Sequence, residues 1–329
     1  MKVLLNEKIH PAAIDLLKKH FEVLIADNTS EEALLDKCTE ASAIIVRTTS
    51  RITRKIIESA PNLVVISRTG VGVDNVDVQA ATERGILVCH LPGINTQSVA
   101  EHTVMLMLAV AKDLRVMDTA VRTNRWSMRS SLKPVELEGK TLGIVGLGRI
   151  GSRIAEICSK GFGMKILAFD PLSPEIPRDF TVNFVSSLEE LFRQADVISI
   201  HASYSKETHH LVDYSLLSKA KEGAILVNTA RGSIVDEHAL VKALQTGPLS
   251  AAGLDVFEEE PLDPSHPLLR LDNVIITPHS ATLTKETHIR AAVEAAQATI
   301  DALTGKPPRW IYNKESLCKL GYTRLLPKK

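Results

Sequence analysis

The sequence predicts an α/β protein with two doubly wound parallel sheets. Short runs rich in Val and Ile alternate with longer segments of helical periodicity along most of the 329 residues, which is typical of parallel α/β architecture. A chain of this length exceeds one compact core, so we expect two domains. Two successive series of strand and helix segments indicate where these domains lie.

The first series of strand candidates occupies the N-terminal part of the chain. Each candidate is a short apolar run bounded by polar or glycine-containing turns, which predicts strands buried on both faces. Segments with helical periodicity separate them. The predicted strands are residues 3–5, 22–25, 43–46, 63–67 and 86–89.

The second series follows an apolar segment, residues 99–121, which predicts one or two connecting helices, and a polar stretch, residues 122–138. It predicts a six-stranded doubly wound unit. After it, residues 287–303 form one amphipathic segment that a glycine and two prolines terminate. The predicted strands are residues 141–145, 165–170, 196–201, 224–228, 250–255 and 273–277.

The last predicted helix determines the domain assignment. Because the first series lacks a complete wall of helices on both sides of its sheet, we expect the helix at 287–303 to fold back onto it. The first domain is then discontinuous, with residues 1–99 and 286–329. A second domain, residues 100–285, is inserted in it.

Composition and charge argue against several functional classes. Lys plus Arg equals Asp plus Glu at 39 each, so no overall field favours nucleic acid or an anionic membrane. The N-terminus becomes polar too early for a signal peptide, and the apolar run at 104–111 is shorter than a membrane span. We therefore expect a cytoplasmic protein. We expect no metal site, because no Cys-x-x-Cys pair occurs among Cys38, Cys89, Cys158 and Cys318.

A glycine-rich turn follows the first strand of the second series. The apolar run LGIV leads directly into GLGRIG, residues 146–151, and helical periodicity begins there. Gly146 permits a tight turn, Gly148 lets the backbone approach a pyrophosphate, and Gly151 lets the helix pack closely on the strand. Because a helix N-terminus attracts phosphate, the sequence predicts a dinucleotide site.

The next predicted strand ends at Asp170. A carboxylate at this place accepts hydrogen bonds from both ribose hydroxyls and repels a 2′-phosphate. NAD is therefore the expected cofactor, in preference to NADP. The alternative is that Asp170 only caps the turn at Pro171.

Three further residues, Arg231, Glu260 and His279, follow later strands, where open α/β sheets bind ligands. Oxidation of an alcohol needs a base and reduction of a carbonyl needs an acid, and histidine, with an ordinary pKa of about 6.5, serves both. Glu260 would favour the imidazolium, and Arg231 would bind a substrate carboxylate. The pattern indicates an oxidoreductase acting on 2-hydroxy acids, although each residue alone also has a purely structural explanation.

Together these motifs resemble the D-isomer-specific 2-hydroxyacid dehydrogenases, and most of all the catalytic part of D-3-phosphoglycerate dehydrogenases. The likeness extends from about residue 1 to about residue 310. The expected fold is a Rossmann nucleotide domain inserted in a flavodoxin-like substrate domain. The motifs are RTGVGVDNVD (68–77), GIVGLGRIG (143–151), NTARGSIVDE (228–237), LDVFEEEP (254–261) and TPH (277–279).

The resemblance also implies the roles of individual residues. Arg231, Glu260 and His279 would be catalytic, with His279 as proton donor to the keto acid. A glycine-rich loop would bind the substrate carboxylate through backbone N–H groups, and it consists of Val71, Gly72 and Val73. Beside the glycines, the implied cofactor contacts are Arg149 and Ile150 at the pyrophosphate, Asp170 at the adenosine ribose, Ala202 near the adenine, and Thr229, Ala230 and Asp255 towards the nicotinamide.

Substrate identity depends on Arg47 and Arg68, whose positions are similar to those of phosphate-binding arginines in phosphoglycerate dehydrogenases. They favour a second anionic group, so the expected pair is 3-phosphoglycerate and phosphohydroxypyruvate. The alternative is that both arginines form surface salt bridges. The substrate is then glyoxylate, hydroxypyruvate or another 2-keto acid such as the one derived from sulfolactate.

Some features depart from the family pattern or extend it. The chain is expected to lack the serine-binding regulatory domain of many phosphoglycerate dehydrogenases, and Arg129 is displaced from the arginine position of those enzymes. Glu260 argues against formate dehydrogenases, which have Gln there, and Val71 argues against phosphite dehydrogenases, which have Lys. The segment 99–121 resembles the family's dimerisation arm and implies a homodimer, although an internal core helix is the alternative.

A protein of another class also matches these motifs. Transcriptional corepressors of the C-terminal-binding-protein type share the fold, the NAD site and the catalytic trio. The balanced charge of this chain, and the lack of an appended domain in it, favour an enzyme over such an NAD-sensing binding protein.

Overall fold

The computed structural model describes residues 1–172 and 179–322. The chain divides into two compact units. Unit 1 consists of Met1–Asn95 and the segment that begins at Leu283, and unit 2 is Thr96–Thr282. The domain boundaries expected from the sequence lie a few residues from these. Each unit is described by itself.

The strands of both units are buried apolar runs with few exceptions. Most agree with the predicted segments to within one or two residues at each end. Those of unit 1 are β1 (Lys2–Leu5), β2 (Glu22–Ile25), β3 (Ala43–Val46), β4 (Val65–Arg68) and β5 (Leu87–Cys89). Those of unit 2 are β6 (Thr141–Val145), β7 (Lys165–Phe169), β8 (Asn183–Phe184), β9 (Val197–Ile200), β10 (Ala224–Asn228), β11 (Leu249–Leu254) and β12 (Val274–Ile276).

The helices alternate with the strands. In chain order they are α1 (Pro11–Lys18), α2 (Glu31–Cys38), α3 (Arg54–Ser59), α4 (Val78–Glu83), α5 (Thr96–Ala111), α6 (Leu114–Arg122), α7 (Arg149–Phe162), α8 (Leu188–Gln194), α9 (Tyr214–Leu217), α10 (Glu237–Thr246), α11 (Lys285–Leu303) and α12 (Lys314–Lys319).

The sheet of unit 1 is parallel, with the flavodoxin-like order β2-β1-β3-β4-β5. Successive side chains of a strand point to opposite faces. Val3 and Leu5 therefore join the core formed with α1 and α11, whereas Leu4 joins the core formed with α2, α3 and α4. The helix near the C-terminus thus covers a sheet built from the N-terminal strands.

The sheet of unit 2 has seven parallel strands in the order β12-β11-β10-β9-β6-β7-β8. The prediction of six strands was wrong by one, because β8 has only two residues, both exposed, and so carries no apolar run. The strand order reverses between β6 and β9, since the chain proceeds outward from β6 to β7 and β8 on one side and from β9 to β12 on the other. Doubly wound sheets bind dinucleotides at such a switch point. α5 and α7 cover one face of this sheet, and α8, α9 and α10 cover the other.

The segment at 99–121 forms parts of two helices, α5 and α6, which meet at Asp113. Asp113 has a left-handed backbone (φ 50°) that breaks the helical path. The polar stretch after α6 includes a short 3₁₀ turn, Trp126–Ser130. In the described part of the chain, no helix combines the length and apolarity that a membrane crossing requires.

Candidate active site

The glycine turn connects β6 to α7. Gly146 has φ 91°, and a Cβ there would lie 2.7 Å from the backbone nitrogen of Ala202, so only glycine fits. A Cβ on Gly151 would lie 2.3 Å from the carbonyl oxygen of Gly146. Gly148 instead faces open space. The turn is therefore tight towards the protein and open at Gly148, as a pyrophosphate site requires.

Asp170 follows β7 directly and fixes this turn. Its Oδ2 accepts a hydrogen bond from the backbone N–H of Leu147 (2.8 Å), and its Oδ1 accepts one from Leu172 (2.9 Å). Asp170 thus caps the turn after β7, as the alternative explanation proposed, and it also holds the glycine turn. Arg149 and Ile150 begin α7 directly after the glycine turn. Because a helix N-terminus attracts phosphate, the turn and these two residues suit the pyrophosphate of a dinucleotide.

The turn after β10 carries Arg231. The side chain of Asn228 accepts a hydrogen bond from the N–H of Ala230 and donates one to the carbonyl of Arg231, both at 3.0 Å. The hydroxyl groups of Thr229 and Thr103 are 2.8 Å apart, which ties the turn to α5. The turn is therefore held at both ends.

The turn after β12 carries His279, and the one after β11 carries Glu260. Nδ1 of His279 lies 2.7 Å from Oε2 of Glu260. The side chains are 30% and 36% exposed, so small molecules reach both. Glu260 contacts Nδ1, which leaves Nε2 as the ring nitrogen on the side away from the carboxylate.

Glu260 also lies within the electrostatic field of Arg231. Partial burial opposes its ionisation, but hydrogen bonds from His279 and from the N–H of Phe257, together with the charge of Arg231, hold the pKa of Glu260 below its usual value. The structure therefore brings the three predicted residues into one electrostatic group. All three belong to unit 2.

Asp255 organises the turn that carries His279. Its carboxylate is 1% exposed and accepts hydrogen bonds from the N–H groups of Ser280 (2.8 Å) and Ala281 (2.9 Å) and from the hydroxyl of Thr277 (2.5 Å). Burial opposes its ionisation, but these bonds and one from His102 outweigh burial and lower the pKa of Asp255.

The substrate-loop residues of the prediction lie in unit 1. Val73 is buried in the core and offers only its backbone, and Nδ1 of His90 lies 3.0 Å from the carbonyl of Val71. Across residues 1–172 and 179–322, the N–H groups of Val71, Gly72 and Val73 donate to no protein group. Three successive N–H groups of this kind suit an anion.

Arg47 follows β3, and Arg68 is the last residue of the adjacent strand β4. The guanidinium of Arg68 lies over Gly70, where an added Cβ would be 2.6 Å from Nη1, and it donates to Thr48 (3.2 Å). The guanidinium of Arg47 donates to Glu7 at 2.9 Å. Glu7 also accepts a short hydrogen bond from Thr49. Arg47 therefore has a carboxylate partner, and that carboxylate is 22% exposed.

Sequence reasoning missed two residues of these sites, His102 and Glu7. Nε2 of His102 lies 2.9 Å from the Thr277 hydroxyl. The signal that could have identified it is a titratable pair, Glu101 and His102, just before the apolar run of α5. Glu7 gave no such signal, because its pairing with Arg47 depends on β1 and β3 lying side by side.

No metal centre accompanies these residues: in the part of the chain that the structure describes, no three His, Cys, Asp or Glu side chains converge as metal ligands. The site instead combines a dinucleotide cradle with a histidine–carboxylate pair and an arginine. This combination defines an α/β dehydrogenase.

Comparison with known proteins identifies the family. The sequence model for "D-isomer specific 2-hydroxyacid dehydrogenase, NAD binding domain" matches residues 104–281. The chain belongs to the D-isomer specific 2-hydroxyacid dehydrogenase family, and its cofactor is NAD.

Individual relatives differ in their substrates. The chain is 43% identical to a glyoxylate reductase of Aeropyrum pernix over 95% of this chain and 96% of the relative. It is 41% identical to a D-3-phosphoglycerate dehydrogenase of Archaeoglobus fulgidus over 99% of this chain but only 62% of the relative. A solved structure of Aquifex aeolicus D-lactate dehydrogenase with NAD and lactic acid superposes with a TM-score of 0.82, at 32% identity, covering 93% of this chain and 96% of that one.

Substitution of Gly151 tests the cradle. We expect Gly151→Ala to weaken NADH binding by roughly tenfold or more, because the new methyl group displaces the Gly146 carbonyl and overpacking of this kind costs about 1–3 kcal/mol. Gly161→Ala on the same helix is the control, since a Cβ there meets no atom within 4 Å. Fluorescence titration with NADH measures both, and equal affinities would contradict the assignment.

Substitution of Asp255 tests its structural role through pH. Because its pKa is lowered from 3.8 in the folded chain, the carboxylate contributes stability that is complete above about pH 4 and is lost as the pH falls through the lowered value. We expect Asp255→Asn to reduce the free energy of unfolding in urea by about 1–3 kcal/mol near neutral pH, since one buried donor loses its acceptor.

That deficit should shrink in strongly acidic solution. Asp272→Asn is the matched control, because this carboxylate is 94% exposed. A deficit for Asp255→Asn that does not change with pH would show that the charge of the carboxylate has no part in the effect.

Proposed function

We propose that the chain catalyses reversible hydride transfer between NAD and C2 of a D-2-hydroxy acid, with 3-phosphoglycerate and phosphohydroxypyruvate as the pair. The contact of His279 with Glu260, within the field of Arg231, is the observation that carries the catalytic part of this proposal. Arg47 and Arg68 of unit 1 are the reason for proposing a substrate with a phosphate group.

The orientation of the imidazole determines which ring nitrogen transfers the proton to the substrate. Glu260, kept ionised, accepts the hydrogen bond from Nδ1–H, so the second proton of the imidazolium is on Nε2. NAD, when bound, accepts or supplies the hydride. During reduction Nε2 of His279 donates a proton to the C2 oxygen, and during oxidation it removes the hydroxyl proton.

Two groups would bind the carboxylate and the C2 oxygen. Arg231 is permanently charged, and its turn is fixed by Asn228, so it suits the oxygens around C2. The N–H groups of Val71, Gly72 and Val73 suit the substrate carboxylate. Any 2-hydroxy acid would need both contacts, whatever group is attached beyond C2.

The second anion distinguishes phosphoglycerate from smaller acids. Arg47 and Arg68 present two guanidinium groups at the ends of adjacent strands, and His288 on α11 lies in the field of Arg47. Burial lowers the pKa of His288, and the charges of Arg47 and His10 lower it further, whereas Glu7 opposes them. The two permanently charged guanidinium groups are the feature that favours a phosphate.

Reduction of glyoxylate or hydroxypyruvate is the second candidate. Glu7 occupies Arg47 and would repel a substrate phosphate, and both side chains are only about a quarter exposed or less. The glyoxylate reductase relative also matches this chain along nearly its whole length, whereas the phosphoglycerate dehydrogenase relative extends well beyond it.

Replacement of His279 tests the catalytic role. We expect His279→Gln to lower kcat/KM for keto-acid reduction by roughly a hundredfold to ten thousandfold, because a glutamine cannot donate the proton. NADH affinity should not change. His20→Gln, an exposed histidine after α1, is the control. Full activity of the His279 variant would show that another group transfers the proton.

The Arg47–Glu7 pair tests the substrate class. The quantity to measure is the ratio of kcat/KM for phosphohydroxypyruvate to kcat/KM for hydroxypyruvate. We expect Arg47→Ala to lower this ratio by roughly tenfold to a hundredfold, the value of a charged hydrogen bond. Glu7→Gln should raise the ratio, because it removes the competing carboxylate.

Lys18→Ala, at the exposed end of α1, controls for loss of one positive charge from unit 1. A ratio near one that neither substitution changes would exclude the phosphate proposal and leave reduction of the smaller keto acids as the function.

A further inference from the structure

Four side chains outside the proposed catalytic group form a continuous network in unit 2. Nε2 of His210 lies 3.0 Å from Oε2 of Glu258, and Nε2 of His266 lies 3.2 Å from Glu237. In the middle, each glutamate accepts a hydrogen bond from the backbone of the other. The network is thus His210, Glu258, Glu237 and His266, and it is called the brace below.

The two central bonds are reciprocal. The N–H of Glu258 donates to Oε1 of Glu237 at 2.7 Å, and the N–H of Glu237 donates to Oε1 of Glu258 at 2.9 Å. The preceding N–H, that of Phe257, donates to Glu260 at 3.1 Å. Two consecutive N–H groups of one turn are therefore bound by Glu237 and by Glu260. The orientation of this backbone determines where the carboxylate of Glu260 lies.

The brace also reaches the turn that carries Arg231. A Cβ on Gly232 would lie 1.9 Å from the carbonyl carbon of Phe257, so the two turns are in direct backbone contact. The N–H of His210 donates to the carbonyl of Ser233 at 2.8 Å, and Glu237 begins α10 just after that turn. Displacement of Glu258 would consequently move the Glu260 turn relative to Arg231.

The two carboxylates lie side by side at the centre of the brace, and a histidine lies at each end. Burial raises the pKa of Glu237, which is 11% exposed on its side chain, and the charge of Glu258 raises it further. The Glu258 N–H, His266 and His238 act in the opposite direction. Two neighbouring carboxylates are tolerated because a histidine contacts each one from outside.

We propose that Glu258 and Glu237 are positioning residues: through the reciprocal hydrogen bonds they hold the backbone at 257–258 so that Glu260 contacts Nδ1 of His279. Neither touches the reacting atoms. The inference rests on the proposed roles of Glu260 and His279, but it does not depend on which keto acid the chain reduces.

Substitutions at 258 and 259 test the brace. The assay is NADH oxidation with whichever of glyoxylate, hydroxypyruvate or phosphohydroxypyruvate the wild-type chain reduces fastest. We expect Glu258→Ala to lower kcat by roughly tenfold to a hundredfold with little change in KM, because misplacement of a catalytic group slows the chemical step. Glu259→Ala, at the exposed neighbouring position, should leave kcat unchanged. Glu258→Gln should recover most of the activity, because its amide oxygen still accepts the N–H of Glu237.

The pH dependence gives a readout that a general loss of stability would not change. Among the described residues of unit 2, the charged and titratable groups that face the His279 turn are Glu260, Arg231, Asp255 and His102. When Glu260 leaves the imidazole, the imidazolium loses its carboxylate, so the pH profile for reduction should shift to lower pH in Glu258→Ala. The pH at which the NMR ring signals of His279 titrate, followed in uniformly labelled protein with NADH, should also become lower.

The outcomes separate the two proposals. If the wild-type chain reduces none of the keto acids, the proposed function is wrong. If it reduces one of them but Glu260→Gln is fully active, the proposed role of Glu260 is wrong, and the brace has no catalytic contact to position. If Glu260→Gln is impaired while Glu258→Ala keeps wild-type kcat and pH profile, only the brace is wrong. A fall in kcat that Glu258→Gln does not restore, accompanied by an equal loss of NADH binding, would also overturn the positioning role.

Discussion

The buried carboxylate of Asp255 determines the geometry of the candidate active site. It lies at the end of β11, yet its hydrogen bonds go to Ser280 and Ala281 in the turn after the neighbouring strand β12. His279 precedes these residues and has a left-handed backbone (φ 50°), a conformation that costs a residue other than glycine free energy. The Asp255 bonds offset that cost, and the histidine is presented to Glu260.

The strands and the polar residues after them could be predicted from the sequence. Short apolar runs such as Ala43–Val46 and Ala224–Asn228 predict strands of a parallel sheet that helices cover on both faces. Parallel strands present their carboxyl ends at one edge of the sheet, so the polar residues after them could be placed there. β8 could not be predicted, because two exposed residues contain no pattern. The Glu237–Glu258 and Glu7–Arg47 pairs could not be predicted either, since each joins turns whose proximity only the fold creates.

The charges at Arg47 and Glu7, rather than the shape of a pocket, distinguish the two candidate substrate classes. The carboxylates of Glu260 and Glu7 each pair with a cationic or ionisable partner, but with opposite consequences. In the proposed function, Glu260 supports the group that donates a proton, whereas Glu7 neutralises a group that would otherwise attract an anion. Under the proposed function, a single substitution of Glu7 would change the charge balance at Arg47 without altering the group formed by His279, Glu260 and Arg231.

The placement of α11 has a consequence for biosynthesis. Ala292, Ala295 and Ala296 of this helix pack on the sheet built from β1 to β5, but the ribosome makes them about two hundred residues later. Unit 2, a contiguous stretch, is complete before that helix emerges. Until α11 is made, α1 covers only part of that face of the nascent N-terminal sheet. The uncovered apolar part is then accessible to a chaperone or to a neighbouring chain.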